Sequence, residues 1–375
     1  MRLLVNALSI GSLSGEHVVY GFLRPLCRWL LPSDEMLVLH YEGQPPPTEL
    51  IEAGVRTIAL PTSQRNWLRR TVWEVTQFPK LVRQHKADVV LGVSGALTPG
   101  CPVPQVALAQ NPWCYVPAAQ HGWKDRAKAR LQRSGYRNAF RNAAMMIYIS
   151  SHLRDLYRRA NTGTRETRSE IAYVGLNEET YQAARSLKSA PRDPLSILSV
   201  SAFAPWKGVE TVVKAVELLR ERGIPATLKL VGPWPNSSYE NSIRKLIADR
   251  QLDDAVQIFG KVSADQLHQH YATSQVFCLM SSCESFGIPA AEAMAFGTPI
   301  VSTDCCAIAE ICEGSGLFGP VNDPMWAANS LDQALSDPAK WLNWSQRAVE
   351  NAARLTWEQC AKPFQKIPEL LNTLR

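Results

Sequence analysis

No Cys-x-x-Cys pair occurs among the nine cysteines, and their number is odd. Neither a disulfide framework nor a zinc site is suggested, and a reducing, cytoplasmic compartment is expected. A secretory signal is also missing: Met1-Arg2-Leu3-Leu4-Val5-Asn6-Ala7-Leu8 has too short an apolar run and reads as a first buried strand. Residues 89–109 carry no charge, but Pro99, Pro102 and Pro104 with three glycines would break a membrane-spanning helix, leaving two short buried strands and a loop. There is no long low-complexity segment and no Asp-x-Asp pair at a strand end to hold magnesium. Acidic residues fall short of basic ones, 34 against 40, for a net charge of +6. That excess suits an anionic nucleotide or an anionic membrane surface and is too small to point to nucleic acid.

What is present describes a folded α/β chain. At 375 residues, 46% hydrophobic and 20% charged, it exceeds what one core usually serves, so two domains are expected. In the second half, strand signals at Leu195–Val200, Ala226–Val231, Val256–Phe259, Val276–Met280 and Pro299–Ser302 alternate with helical patterns. One of these, Lys207–Arg222, puts Val209, Val212, Val213, Val216 and Leu219 on one face. This is the grammar of a doubly wound parallel sheet. The first half repeats it with strands near Leu3–Ala7, Met36–His40, Val89–Val93, Val106–Ala109 and Met146–Ile149. The periodic pattern fades between Tyr181 and Pro194, which places the join there and gives domains 1–185 and 186–355, followed by a last segment, 356–375.

The stretch from Ser282 to Thr303 carries the chemistry. Pro289 suits a first helical turn, so Phe286, Gly287 and Ile288 would form the loop feeding a helix that runs to about Phe296, ended by Gly297-Thr298-Pro299. Such a helix start attracts phosphate, and Gly287 would let a diphosphate approach the backbone. Glu284 and Glu292 flank that start, and carboxylates accept hydrogen bonds from paired sugar hydroxyls, so one could hold a ribose and the other a transferred sugar. The same spacing fits an ordinary amphipathic helix with one capping and one solvated glutamate. Lys207 follows the strand Leu195–Val200 through a short loop and opens a helix, where a lysine opposes the helix dipole. A phosphate partner would explain it.

The string from Glu284 to Glu292, continued by Ala293-Met294-Ala295-Phe296-Gly297-Thr298-Pro299-Ile300-Val301, resembles the donor-site signature of family 4 glycosyltransferases. The likeness extends to 199–208, 231–232, 256–260 and 317–324. It implies a GT-B fold, two facing Rossmann-like domains with a cleft between them, and a final helix crossing back onto the first domain. It also implies sugar transfer with retention from a nucleotide-diphosphate donor, without a metal or other cofactor, to a glycan, lipid-linked or small-molecule acceptor. By resemblance Lys207 contacts the diphosphate and Glu284 orients the sugar. Glu292 fixes the ribose, and Ser285, Phe286, Gly287 and Ile288 form the donor-binding turn. The loop from Ser9 to Glu16, with Gly15, is similar to the glycine loop that relatives close over the donor, though a plain turn fits it as well. Two departures stand out. Ala202 and Phe203 stand where relatives usually carry a phosphate-binding arginine, and Gln110 and Asn111 stand near a usual histidine. Asn111 can hydrogen-bond sugar hydroxyls but cannot titrate as a base. His121 lies nearby without an assignment.

Residues 121–141 hold seven Lys or Arg against one Asp. Arg126, Arg130, Arg133, Arg137 and Arg141 make one stripe if helical, which Gly135 would interrupt. The stripe faces water or an anion, and with Arg65, Trp67, Arg69 and Arg70 it could meet a lipid-linked acceptor in peripheral contact at the inner membrane face. Besides a transferase, a sugar-nucleotide epimerase of the same fold and a catalytically idle relative that binds a nucleotide or protein partner fit the residues. The departures favour the idle relative and the intact Glu284-to-Glu292 element argues against it.

Overall fold

Alternating buried strands and one-sided helices build two separate parallel sheets. The computed structural model describes residues 1–11, 13–120 and 122–374; Ser12 of the glycine loop and His121 lie outside them. The chain divides into two units, Met1–Gly175 with Trp357–Arg375, and Leu176–Thr356.

In the first unit the strands are β1 (Arg2–Asn6), β2 (Glu35–Tyr41), β3 (Arg56–Leu60), β4 (Val89–Gly92), β5 (Gln105–Ala109), β6 (Met145–Tyr148) and β7 (Ser169–Ile171). Their order is β3-β2-β1-β4-β5-β6-β7, all parallel, with Leu4 opposite Leu37 on one side and Val90 on the other. Central strands are apolar over most of their length because helices cover both faces of a parallel sheet. Leu4, Leu39 and Val90 accordingly pack with Phe78 and Val82 in one core. The last segment, 357–375, belongs to this unit. Trp357 packs on the helix Leu13–Trp29, its ring centroid 5.1 Å from His17 and 5.2 Å from Phe22, and Arg28 pairs with Glu358.

The second unit contains β8 (Asp193–Val200), β9 (Thr227–Val231), β10 (Val256–Gly260), β11 (Ser274–Leu279), β12 (Ile300–Thr303) and β13 (Gly316–Gly319), in the order β10-β9-β8-β11-β12-β13 and again parallel. The helix Val209–Glu221 buries Val209, Val212, Val213, Val216 and Leu219, the face expected from spacing, against Ile197, Leu228 and Val276. The division falls at Gly175/Leu176, earlier than the 185/186 boundary read from the sequence. Leu176 N–H donates to the Leu355 carbonyl at 2.7 Å and the Tyr181 hydroxyl to that of Ala352 at 2.6 Å, which ties the helix Glu178–Ser186 to the second unit.

Two local expectations are corrected. The helix Leu13–Trp29 begins early enough to take in Gly15, so that residue sits in a helical turn rather than in the loop after β1. Gly135 does not interrupt the basic segment, because the helix Gly122–Asn142 runs through it, with Ala129, Tyr136, Ala139 and Phe140 as its buried side. No helix among the described residues is long and apolar enough to cross a membrane.

Candidate active site

In the second unit β8 and β11 pair at the middle of the sheet, and strand order reverses between them, β9 and β10 lying to one side and β12 and β13 to the other. Segments leaving the carboxyl ends of two such strands border the crevice where open α/β sheets bind ligands. Lys207 comes from the segment after β8 and Glu284 from the one after β11. Backbone chemistry stitches the two together: Ser282 N–H donates to the Trp206 carbonyl at 2.8 Å, and Ser281 Oγ donates to the same oxygen at 3.1 Å. Gly208 makes this approach available. Its φ is +66°, and a Cβ there would stand 2.1 Å from the Met280 carbonyl oxygen.

Across that junction Lys207 Nζ donates to Glu284 Oε1 at 2.5 Å, with only 15% and 13% of the two side chains exposed. Lys207 closes a 3-10 turn, Pro205–Lys207, two residues before Val209 begins the helix it was expected to open, and its cation is held by a carboxylate. Glu284 does not cap the following helix, Ile288–Ala295. That helix's N-cap is Gly287, with no side-chain hydrogen bond, so the capping alternative falls away. Gly287 is also required by its own surroundings. Its φ is +93°, and a Cβ would sit 2.5 Å from Ile308 Cγ1, so packing against Ile308 and a left-handed backbone demand it. Phe286 is 2% exposed, its side chain committed to the core, and Ser285 and Ile288 are half-buried beside it.

Glu292 lies in the second turn of the helix Ile288–Ala295, apart from the ion pair. The Tyr271 hydroxyl donates to its Oε2 at 2.8 Å. Burial raises the Glu292 carboxyl from 4.5 to about 7, partly opposed by the hydrogen bond from Tyr271. Tyr271 is fully buried, stacked 5.6 Å from Phe296, and its carbonyl accepts from the Thr298 hydroxyl at 2.7 Å, so the phenol is fixed where it meets the carboxylate.

Sequence spacing missed Tyr271, which stands on another helix, Ala264–Thr273, and carries no local signal. It also missed three thiols near Glu284. Cys283 precedes it, and Cys305-Cys306 end one residue before Ala307, whose N–H donates to the Glu284 carbonyl at 3.4 Å. Burial pushes the Cys283 thiol up to about 12, whereas the neighbouring Cys306 thiol holds exposed Cys305 below the usual thiol range. Of the residues where an arginine was expected, Phe203 is wholly buried and packs 4.5 Å from Trp234, so its side chain serves the core. Gly15 and Asn111 belong to the first unit. Asn111 is exposed, and its Oδ1 accepts from Trp113 N–H at 2.9 Å, which shapes the turn after β5, while Gln110 donates to the Val93 carbonyl at 2.8 Å.

Comparison with known proteins places these residues in context. Residues 182–354 match the family model described as glycosyl transferases group 1, and residues 22–173 match that of the glycosyl transferase 4-like domain. A D-inositol 3-phosphate glycosyltransferase of Kineococcus radiotolerans is 31% identical over 196 residues, covering 48% of this chain and 45% of that protein. The putative colanic acid biosynthesis glycosyltransferase WcaL of Escherichia coli is 31% identical over 208 residues, covering 52% and 48%. The match thus spans about half the length of these relatives. Among solved structures, Anabaena HepE in complex with UDP-glucose superposes over 100% of both chains with a TM-score of 0.74 at 18% identity, a likeness of fold.

Proposed function

Because this chain belongs to the group 1 glycosyltransferases and has their GT-B fold, we propose that it moves a sugar from a nucleotide-diphosphate donor to an acceptor hydroxyl, with retention and without a metal. The observation that carries the reading is the Lys207–Glu284 pair at the strand-order reversal between β8 and β11. A cation and a carboxylate meet there at the carboxyl edge of a sheet, beside a helix start that can receive phosphate.

In this reading the Lys207 ammonium bridges Glu284 and the donor diphosphate. It balances the charge that grows on the leaving phosphate as the glycosidic bond breaks, together with the amides of Phe286, Gly287 and Ile288. The departing phosphate oxygen takes the proton of the acceptor hydroxyl, so no protein nucleophile is required. Glu284 orients the transferred sugar and offsets positive charge developing at the anomeric carbon. Glu292 accepts from the two ribose hydroxyls with Oε1 and Oε2, and Tyr271 keeps the carboxylate turned toward them. The similar proteins support a nucleotide-sugar donor: one is named a D-inositol 3-phosphate glycosyltransferase, and HepE was solved with UDP-glucose. The proposed acceptor is a glycan, lipid-linked or small-molecule hydroxyl, met by a protein that works in the cytoplasm, in peripheral contact with the inner membrane face.

Product analysis tests this directly. Incubation with nucleotide sugars and a panel of hydroxyl acceptors, followed by mass spectrometry and NMR of the new linkage, should give a transferred sugar with the donor's anomeric configuration in chelator-treated buffer. Inverted configuration, or dependence on an added divalent ion, would contradict the mechanism. Isomerised donor without transfer would indicate an epimerase instead.

A further inference from the structure

The basic stripe of the first unit does not belong to the donor chemistry, and the structure gives it a shape. Arg130, Arg133 and Arg137 of the helix Gly122–Asn142 line a cavity of about 770 Å³ together with Arg159, Asn161 and Tyr115. The volume lies in the range of small-molecule sites, roughly 300–1,000 Å³.

All four arginines are exposed, and their mutual repulsion at one concavity is relieved by solvent alone unless an anion binds. None of the four makes an ion pair among the described residues, although nearby Arg158 has found Glu166 at 2.6 Å. Arg159 ends the helix Ser151–Ala160, where the dipole favours a cation, but Arg130, Arg133 and Arg137 sit mid-helix at three- and four-residue spacing, where like charges cost stability. Two guanidiniums are also pre-positioned. Arg137 Nε donates to Asn161 Oδ1 at 3.1 Å, and Asn161 is itself buried, with Nδ2 donating to the Tyr157 carbonyl at 2.8 Å. Arg133 Nε donates to the Ala129 carbonyl at 3.3 Å. Each is tethered through Nε, which leaves the terminal nitrogens as the donors suited to a two-point oxyanion contact. The Tyr115 hydroxyl, buried beside Asn161, adds a polar atom at the same wall. A cradle of several guanidinium forks and a hydroxyl matches a tetrahedral group with three or more charged oxygens better than a planar carboxylate.

We propose that this cavity is a second anion site, separate from the donor residues, that takes a phosphate-bearing group, whether on a soluble molecule or on a lipid headgroup. The inference stands on the first unit alone and is independent of the transferase reading.

The test uses the full chain in a Lys207→Ala background, so that phosphate binding at the donor residues is removed from both arms. Arg133→Gln with Arg159→Gln is the variant, since neither side chain carries a hydrogen bond between elements. Inorganic pyrophosphate is titrated calorimetrically, and vesicles of phosphatidylglycerol or of phosphatidylcholine are co-sedimented with the protein. If the site serves soluble ligands, pyrophosphate binds the background protein and the two substitutions weaken it by about tenfold or more. If it serves a headgroup, phosphatidylglycerol vesicles alone retain the protein and the substitutions release it. Unchanged pyrophosphate affinity together with unchanged vesicle retention would overturn the proposal.

Discussion

Glu292 is the residue whose environment makes the sharpest demand on experiment. Its folded carboxyl titrates near 7, above the ordinary 4.5, so between those values the unfolded chain gives up its proton while the folded one keeps it. Stability contributed at this position is therefore highest below about pH 4.5, falls as pH rises, and levels off above 7, a change of about 3 kcal/mol at the limit. Glu292→Gln should remove that slope, so urea melts of the second unit at pH 5 and pH 8 should differ less for the variant than for wild type. Equal slopes would show that the Glu292 carboxyl is not shielded from water enough to raise it. Tyr271→Phe should act in the opposite sense, moving the carboxyl still higher because the hydrogen bond that lowers it is gone. A ribose diol donates to the ionised form, so affinity for a nucleotide sugar should rise from pH 6 to pH 8 in wild type and reach its plateau at higher pH in Tyr271→Phe. At the other carboxylate, Lys207→Ala strands Glu284 without its partner at low exposure and should cost about 1–3 kcal/mol by thermal melt.

At the level of elements, two glycines set where the site can form. Gly287→Ala meets both a left-handed backbone and Ile308, and Gly208→Ala meets a backbone carbonyl that cannot turn aside. Gly287→Ala should lose about 1–3 kcal/mol and regain part of it when combined with Ile308→Ala, whereas no side-chain change should rescue Gly208→Ala. Differential scanning fluorimetry of these three variants and of Gly208→Ala with Met280→Ala decides this, and rescue of Gly208→Ala by trimming Met280 would contradict the geometry. The central strands were legible because burial on both faces gives them unbroken apolar runs. β3, β7 and β13 were not, because they bury so little: Arg56–Leu60 buries only Leu60, Ser169–Ile171 buries no residue and Gly316–Gly319 buries only Gly319, whereas β10, also at an edge, kept a readable run at Val256–Phe259. The Glu284-to-Glu292 element was legible because its parts are local in sequence. Tyr271, Ile308 and the Trp206 carbonyl were not, since each reaches the site through sheet topology rather than spacing.

The whole molecule is two parallel-sheet units, the first closed by a segment from the far end of the chain. Trp357 fills the space over Gly21 and Gly175 and meets Phe22 and His17, so Trp357→Ala should cost about 3–5 kcal/mol in the first unit. Hydrogen exchange should then quicken along the helix Leu13–Trp29 while β8 and β11 keep their protection; uniform loss in both units would argue that they do not hold separate cores. The central claim, that a nucleotide sugar binds where β8 and β11 diverge, is tested most directly by calorimetric titration of wild type, Lys207→Ala and Glu292→Ala with UDP-, GDP- and ADP-sugars. The account expects one base to bind wild type and to bind each variant at least about tenfold more weakly, the loss of one or two charge-assisted hydrogen bonds. Binding of that nucleotide sugar with equal affinity by all three proteins would contradict it.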